Sequence, residues 1–250
     1  MKGLGLVLLA ATALSGCHMP GRPAPGPEVP RPESVMSFAQ LYGENCSGCH
    51  GADGRNGSAM ELGNPVYLAI IDDAALRNII ANGEKGTLMP GFGNAAGGSL
   101  TDKQIDALVS GMRARWAKPN VLAGMTAPPW KASQPGDATH GAAVYTQACA
   151  RCHGNTSQQP GAAGSILDGS FLALVNDQTI RTIVIAGRDD IGQPDWRNVL
   201  LGRALTDAEI TDLTAWLIAQ TPPHPGHPYP STQPTAERPG EQQPLATHTQ

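Results

Sequence analysis

The sequence predicts an all-α protein built from two tandem, small helical domains, and three observations predict it. Blocks of sequence recur in the same order, apolar residues within them follow a helical period, and the longest candidate helices begin with capping signals. SFAQLYGENCSGCHG (Ser37–Gly51) matches HGAAVYTQACARCHG (His140–Gly154). VYLAIIDDAALRNIIANG (Val66–Gly83) matches SFLALVNDQTIRTIVIAG (Ser170–Gly187), and SLTDKQIDALVSGM (Ser99–Met112) matches ALTDAEITDLTAWL (Ala204–Leu217). The offset between copies drifts only from 103 to 105 residues, as an internal duplication requires.

Along the chain, Lys2 precedes an apolar run, Leu4–Leu14, that is too short to span a bilayer and ends in Leu14-Ser-Gly-Cys17. A cysteine after such a series resembles a bacterial lipobox. Residues 1–16 are expected to be a lipoprotein signal peptide, with Cys17 as the lipidated first residue; an ordinary signal peptide is the alternative. Residues 17–34 hold six prolines between Pro20 and Pro32 and read as a semi-rigid membrane tether.

The first domain is placed at 35–118. Helices are expected over Ser37–Asn45 and Asp73–Asn82, and a third after the capping box of Thr101 and Gln104, with Ile105, Leu108, Val109 and Met112 on its buried stripe. Residues 119–136 form a Pro/Gly-rich linker. The second domain, 137–221, repeats the plan near Ala142–Ala148 and Gln178–Ala186. Thr206 and Glu209 then cap a helix carrying Ile210, Leu213 and Leu217, with Trp216 beside the stripe. Residues 222–250 are polar and Pro-rich, and read as a disordered tail.

Hydrophobic residues make up 40 % of the chain but aromatics only 4 %, a thin supply for two cores of roughly 85 residues each. Something other than side chains should fill their centres. A formal charge of −4 argues against a nucleic-acid binder, which needs a basic stripe.

Apart from Cys17, the cysteines form two copies of one motif, Cys46-Ser-Gly-Cys49-His50 and Cys149-Ala-Arg-Cys152-His153. C-x-x-C-H is the attachment signature of c-type haem: two thiols one helical turn apart form thioethers with the vinyl groups, and the adjacent imidazole takes the iron from below. Structural zinc does not explain a histidine at the same place in both copies. A thioredoxin-like pair expects a βαβ setting, and a two-residue gap is a poor disulfide staple.

From the helix before C-x-x-C-H to the helix after the distal loop, both units resemble the class I cytochrome c domain. The resemblance implies a methionine as sixth ligand, commonly followed by proline. Met89, in Leu88-Met89-Pro90, fits; Met60 lies too soon after His50. A His/Met pair raises the potential and closes the iron. In the second copy the aligned residue is Gln193, before Pro194, and no methionine occurs after Met125. Gln193 itself, or water held there, ranks first for that position; a five-coordinate iron is a further outcome. A tail histidine, His224 or His227, and a linker methionine, Met112 or Met125, are the other outcomes. His140 is expected to be exposed.

The expected function is that of a membrane-anchored dihaem cytochrome, carrying single electrons between respiratory or photosynthetic redox proteins on the periplasmic side of a bacterial membrane. No catalytic residues are assigned. Two alternatives are an oxidoreductase acting on a small oxidant or sulfur compound at an open second haem, and a fixed haem subunit of a membrane redox complex. Arg188, Asp189, Asp190 and Asp195, crowded around Gln193, read as a charged surface loop rather than as distal catalytic groups.

Overall fold

A computed structural model describes residue 26 and residues 29–222. The expected signal peptide, Cys17 and the tail histidines His224 and His227 lie outside these residues. The segment up to Val35 is a unit by itself and contains a 3₁₀ turn at Pro32–Ser34, closed by the Val35 amide on the Pro32 carbonyl.

From Met36 onward the described chain is helical apart from one small ribbon. Repeat one contains α1 (Phe38–Asn45), α2 (Ser47–His50), α3 (Pro65–Ile70), α4 (Asp73–Asn82) and α5 (Asp102–Trp116). Repeat two contains α6 (Ala138–Ala148), α7 (Ala150–His153), α8 (Gly169–Leu172), α9 (Asp177–Ala186) and α10 (Asp207–Ala219). Its two-stranded ribbon pairs β1 (Gly154–Thr156) with β2 (Gln159–Pro160) in antiparallel register. The all-α expectation holds, and what the sequence did not mark are short pieces: α3, α8, the ribbon and the 3₁₀ turns at Asn94–Ala96 and Asp189–Ile191.

Side-chain caps explain where the helices begin. Asn64 accepts from the Val66 and Tyr67 amides ahead of α3, where Pro65 takes the first turn. Asp72 caps α4, Asp137 α6, Asp168 α8 and Asn176 α9. Both capping boxes, Thr101 with Gln104 and Thr206 with Glu209, are formed. The helices α4 and α9 stop at Gly83 and Gly187, with φ of 78° and 75°.

Behind the boxes, Ile105, Leu108, Val109 and Met112 are buried in repeat one, and Ile210, Leu213 and Leu217 in repeat two. Each repeat closes by crossing its first helix over its last, α1 on α5 and α6 on α10. The crossing uses one large and one absent side chain, with the sizes exchanged between copies. In repeat one Phe38 packs into the gap at Gly111, where a Cβ would stand 2.2 Å from the ring. In repeat two the position matching Phe38 is Gly141 and the position matching Gly111 is Trp216. A Cβ on Gly141 would stand 2.0 Å from the Asp212 carbonyl oxygen, while Trp216 stacks at 4.6 Å on Tyr145.

The linker is docked onto repeat two. The buried Arg181 guanidinium donates to the Pro129 and Trp130 carbonyls and to Thr211, and pairs with Asp207. The Trp130 indole donates to Thr182 at 3.1 Å.

Candidate haem sites

Each C-x-x-C-H occupies a single helical turn that the fold presents in the same way. Cys46 ends α1 and starts α2, His50 is the last residue of α2, and its amide bonds to the Cys46 carbonyl at 3.0 Å. Cys149 and His153 stand likewise around α7, with a distance of 2.9 Å. The chain must reverse directly afterwards, through Gly51 (φ 81°) and Gly154 (φ 83°). A Cβ would meet the Arg55 carbonyl oxygen at 1.7 Å in one copy and that of Gln159 at 2.1 Å in the other, so glycine is required at both. The turns are pinned by Tyr42, whose hydroxyl donates to Gly51 O at 2.8 Å, and by Tyr145, which donates to Gly154 O at 2.7 Å.

The four cysteines are unpaired thiols. Burial, then the second cysteine of each pair, pushes the Cys46 thiol up to about 11 and the Cys149 thiol up to about 12. A thiol–disulfide centre needs the opposite shift, which counts against the redox-dithiol reading.

Both imidazoles are oriented as iron ligands require. His50 Nδ1 lies 2.7 Å from the Met60 carbonyl oxygen and His153 Nδ1 3.0 Å from that of Gly164. A carbonyl only accepts, so Nδ1 carries the proton and the Nε2 lone pair is left for a metal. His50 is buried, and its pKa is lowered first by that burial and then by Arg188, which keeps it neutral; the Met60 hydrogen bond opposes the shift. With its carbonyl under His50, Met60 belongs to the proximal side, which removes it as a distal ligand. Two thiols and a free Nε2 on one turn, in each copy, fit a covalently attached haem.

The distal loops of the two repeats share one backbone frame. A Cβ on Gly83 would meet Met89 O at 2.6 Å, and one on Gly187 would meet Gln193 O at 2.8 Å. The Glu84 amide donates to Met89 O and the Arg188 amide to Gln193 O, both at 3.0 Å. The Leu100 amide then donates to Phe92 O at 2.8 Å and the Leu205 amide to Trp196 O at 2.9 Å. Met89 and Gln193 are therefore equivalent in space as well as in alignment. Gln193 Nε2 donates to Ile183 O at 3.3 Å, a bond that a thioether cannot make. Of the alternative methionines, Met112 is buried on α5 and Met125 is exposed in the linker. His140, half exposed, pairs with Asp212 at 2.7 Å.

The expectation of a charged surface loop around Gln193 holds for Asp189, whose side chain is 60 % exposed, and fails for Arg188 and Asp190. The side chain of Asp190 is fully buried, and Arg188 is buried as well. Arg188 donates to both Asp190 oxygens and, across the repeat boundary, to Gly57 O at 3.0 Å. Asp190 also accepts the Asn56 amide at 2.7 Å. Asp189 accepts from Arg55 at 3.1 Å, and Asn64 Nδ2 reaches Ala186 O at 3.1 Å and Asp189 Oδ1 at 3.5 Å. At the other end of α9, Asn176 donates to Glu84 and to Lys85 O, both at 2.9 Å. These charges hold the repeats together. Glu61 lies inside the same cluster with its side chain buried. The sequence carried no signal for the burial of Glu61, or for the Asn64 contacts with Ala186 and Asp189, which lie more than 120 residues away.

Two C-x-x-C-H turns in two helical repeats define a tandem dihaem c-type cytochrome. A family model described as cytochrome C oxidase, cbb3-type, subunit III matches residues 33–110 and again residues 136–217, and the chain belongs to that family. A cbb3-type cytochrome c oxidase subunit CcoP of Azospirillum sp. (strain B510) is 28 % identical over 213 residues, covering 76 % of this chain; the chain spans 65 % of that relative's length. Among solved structures, the reducing HAO-like protein complex Kustc0457/Kustc0458 of Kuenenia stuttgartiensis overlaps with a TM-score of 0.44 at 16 % identity, over 78 % of this chain and 100 % of that one. The dihydro-heme d1 dehydrogenase NirN in complex with DHE overlaps with a TM-score of 0.28 at 31 % identity, over 40 % of this chain and 21 % of that one. The family and its duplicated motif give the chain two c-type haems.

Proposed function

We propose that this protein is a membrane-anchored dihaem electron carrier on the periplasmic side, with domains at 35–118 and 137–221. Cys46 and Cys49 bind the first haem and Cys149 and Cys152 the second, each through thioethers. His50 and Met89 take the first iron; His153 and Gln193, or water held by Gln193, take the second. Bound haem supplies a one-electron couple, while the protein orients the imidazoles and tunes each potential. The observation that carries the reading is the shared frame of the distal loops, which puts a thioether at one site and an amide at the other. A thioether raises the potential, so the second haem is the lower one and electrons pass from it to the first. Potentiometric titration with spectroscopy of each axial pair tests this: equal potentials, or the reverse order, overturn it.

The anchor is assigned to Cys17, because the apolar run before it ends in Leu14-Ser-Gly-Cys17, which resembles a lipobox. Palmitate labelling that is lost in Cys17→Ser tests it. The matched relative is named as an oxidase subunit, which favours a second reading, a fixed subunit of a membrane redox complex. Stoichiometric co-purification with such a complex distinguishes that reading from a mobile carrier.

A further inference from the structure

Glu61 is a buried acid for which electron carriage by itself has no use. The residue is 1 % exposed. Asn64 Nδ2 donates to its Oε2 at 3.3 Å, while Oε1 lies 3.2 Å from Arg55 Nε and makes no hydrogen bond. Around it stand Arg55 from its own loop and, from the loop after α9, Asp189, Asp190 and Arg188. Two arginines already balance two aspartates in this cluster. A proton on Glu61 leaves it neutral, and an ionised Glu61 leaves it one charge negative.

Glu61 also shares a peptide group with the first haem site. The carbonyl that accepts from His50 Nδ1 belongs to Met60, so the acceptor and the Glu61 amide lie in one rigid plane. Repeat two has no counterpart. The carbonyl under His153 belongs to Gly164, flanked by Ala163 and Ser165, neither of them ionisable.

We propose that Glu61 is a proton-linked positioning residue for the first haem, holding the Met60 carbonyl against His50 and coupling electron uptake at that haem to proton uptake at the boundary between the repeats. An electron arriving from the redox partner at the first haem is accompanied by a fraction of one proton, taken from solvent onto the Glu61 carboxylate; oxidation releases it. The cause is electrostatic: negative charge on the residue next to the carbonyl that holds the proximal imidazole favours ferric iron, and the added electron favours the protonated acid. Burial, then the hydrogen bond and charge of Asp189, raise the Glu61 pKa to about 7, which puts the exchange near neutral pH. The inference rests on His50 and Met89 holding the first iron, which axial-ligand spectra of the same sample check separately from any pH dependence.

The experiment is potentiometry of the complete dihaem protein from about pH 5.5 to about pH 8.5, with infrared difference spectra between redox states. A pKa differing by about half a unit between redox states changes the ferrous-to-ferric ratio of the first haem about threefold at fixed applied potential, with the ratio falling as pH rises. The second haem stays flat over this interval. Glu61→Gln is expected to abolish the dependence and the protonated-carboxyl band. Asp189→Asn, which removes the charge that favours the protonated acid, is expected to shift both to lower pH. A flat first haem in the parent protein, or a dependence unchanged in both variants, overturns the proposal. If Glu61→Gln does not fold, the Asp189→Asn shift and the parent infrared band decide it.

Discussion

The most direct test of the distal assignment is Gln193→Met. The second loop already has the frame that holds Met89: the Cβ clearance at its glycine differs by 0.2 Å between copies (2.6 Å and 2.8 Å), and the amide-to-carbonyl bond that closes the loop is 3.0 Å in both. The substitution removes one contact, Gln193 Nε2 to Ile183 O at 3.3 Å. That carbonyl keeps the Gly187 amide at 2.8 Å, so the loss costs about 1 kcal/mol or less. Trp196, three residues on, is 2 % exposed and stays as a packing anchor. The introduced thioether is expected to close the second iron and raise its potential by about 60 mV or more, a tenfold or greater change in the ferrous-to-ferric ratio. Potentiometry with near-infrared circular dichroism measures this, and carbon monoxide binding at the second haem is expected to disappear. An unchanged second potential with carbon monoxide still bound would refute the equivalence of the two loops.

Three other outcomes follow from packing and charge. Gly141→Ala forces a Cβ to within 2.0 Å of backbone at the α6–α10 crossing and is expected to lose about 1–3 kcal/mol, whereas Gly43→Ala on α1, with nothing within 4 Å, is expected to gain up to about 1 kcal/mol, both read from chemical denaturation. Arg181→Met strands the Pro129 carbonyl, while Trp130 O keeps Gln178 Nε2 at 2.8 Å, and should cost about 1–3 kcal/mol, with Trp130 fluorescence reporting release of the linker. Glu209 is held down to about 2, first by Arg203. Because its folded pKa is depressed, its contribution is complete above the ordinary carboxylate range and is lost as pH falls towards 2. Glu209→Gln should therefore flatten the acid limb of the stability–pH curve.

Most of the frame was legible in the sequence because it depends on local rules. Thr101 with Gln104 and Thr206 with Glu209 announce helix starts through contacts three residues apart, and both helices begin there. The C-x-x-C-H turns were legible for the same reason, as was Met89 against Gln193, since a duplication supplies its own alignment. Arg188 and Asp190 misled because local charge density predicts exposure, whereas their partners, Asn56 and Gly57, lie more than 130 residues away. Glu61 was invisible for the same physical reason. A lone glutamate between two apolar residues carries no mark of burial, and part of what surrounds it, Asp189 and Asp190, comes from the other repeat.

The two halves share what builds a haem pocket and differ in what sets its potential. Glycines after each motif, tyrosines over each turn and the capped last helices recur because a covalently held porphyrin tolerates little variation in backbone path. Distally, Met89 is replaced by Gln193; proximally, the residue after the carbonyl acceptor is Glu61 in one copy and Ser165 in the other. Below the pH at which Glu61 ionises, the thioether and the neutral acid both favour ferrous iron at the first haem, and the gap to the second is widest. As pH rises, the charge on Glu61 lowers only the first potential, and the gap narrows from that side alone. On the proposed ligands and the proposed role of Glu61, the driving force between the haems is set by single side chains in an otherwise duplicated frame, and the acid that adjusts it also packs against the charges joining the repeats.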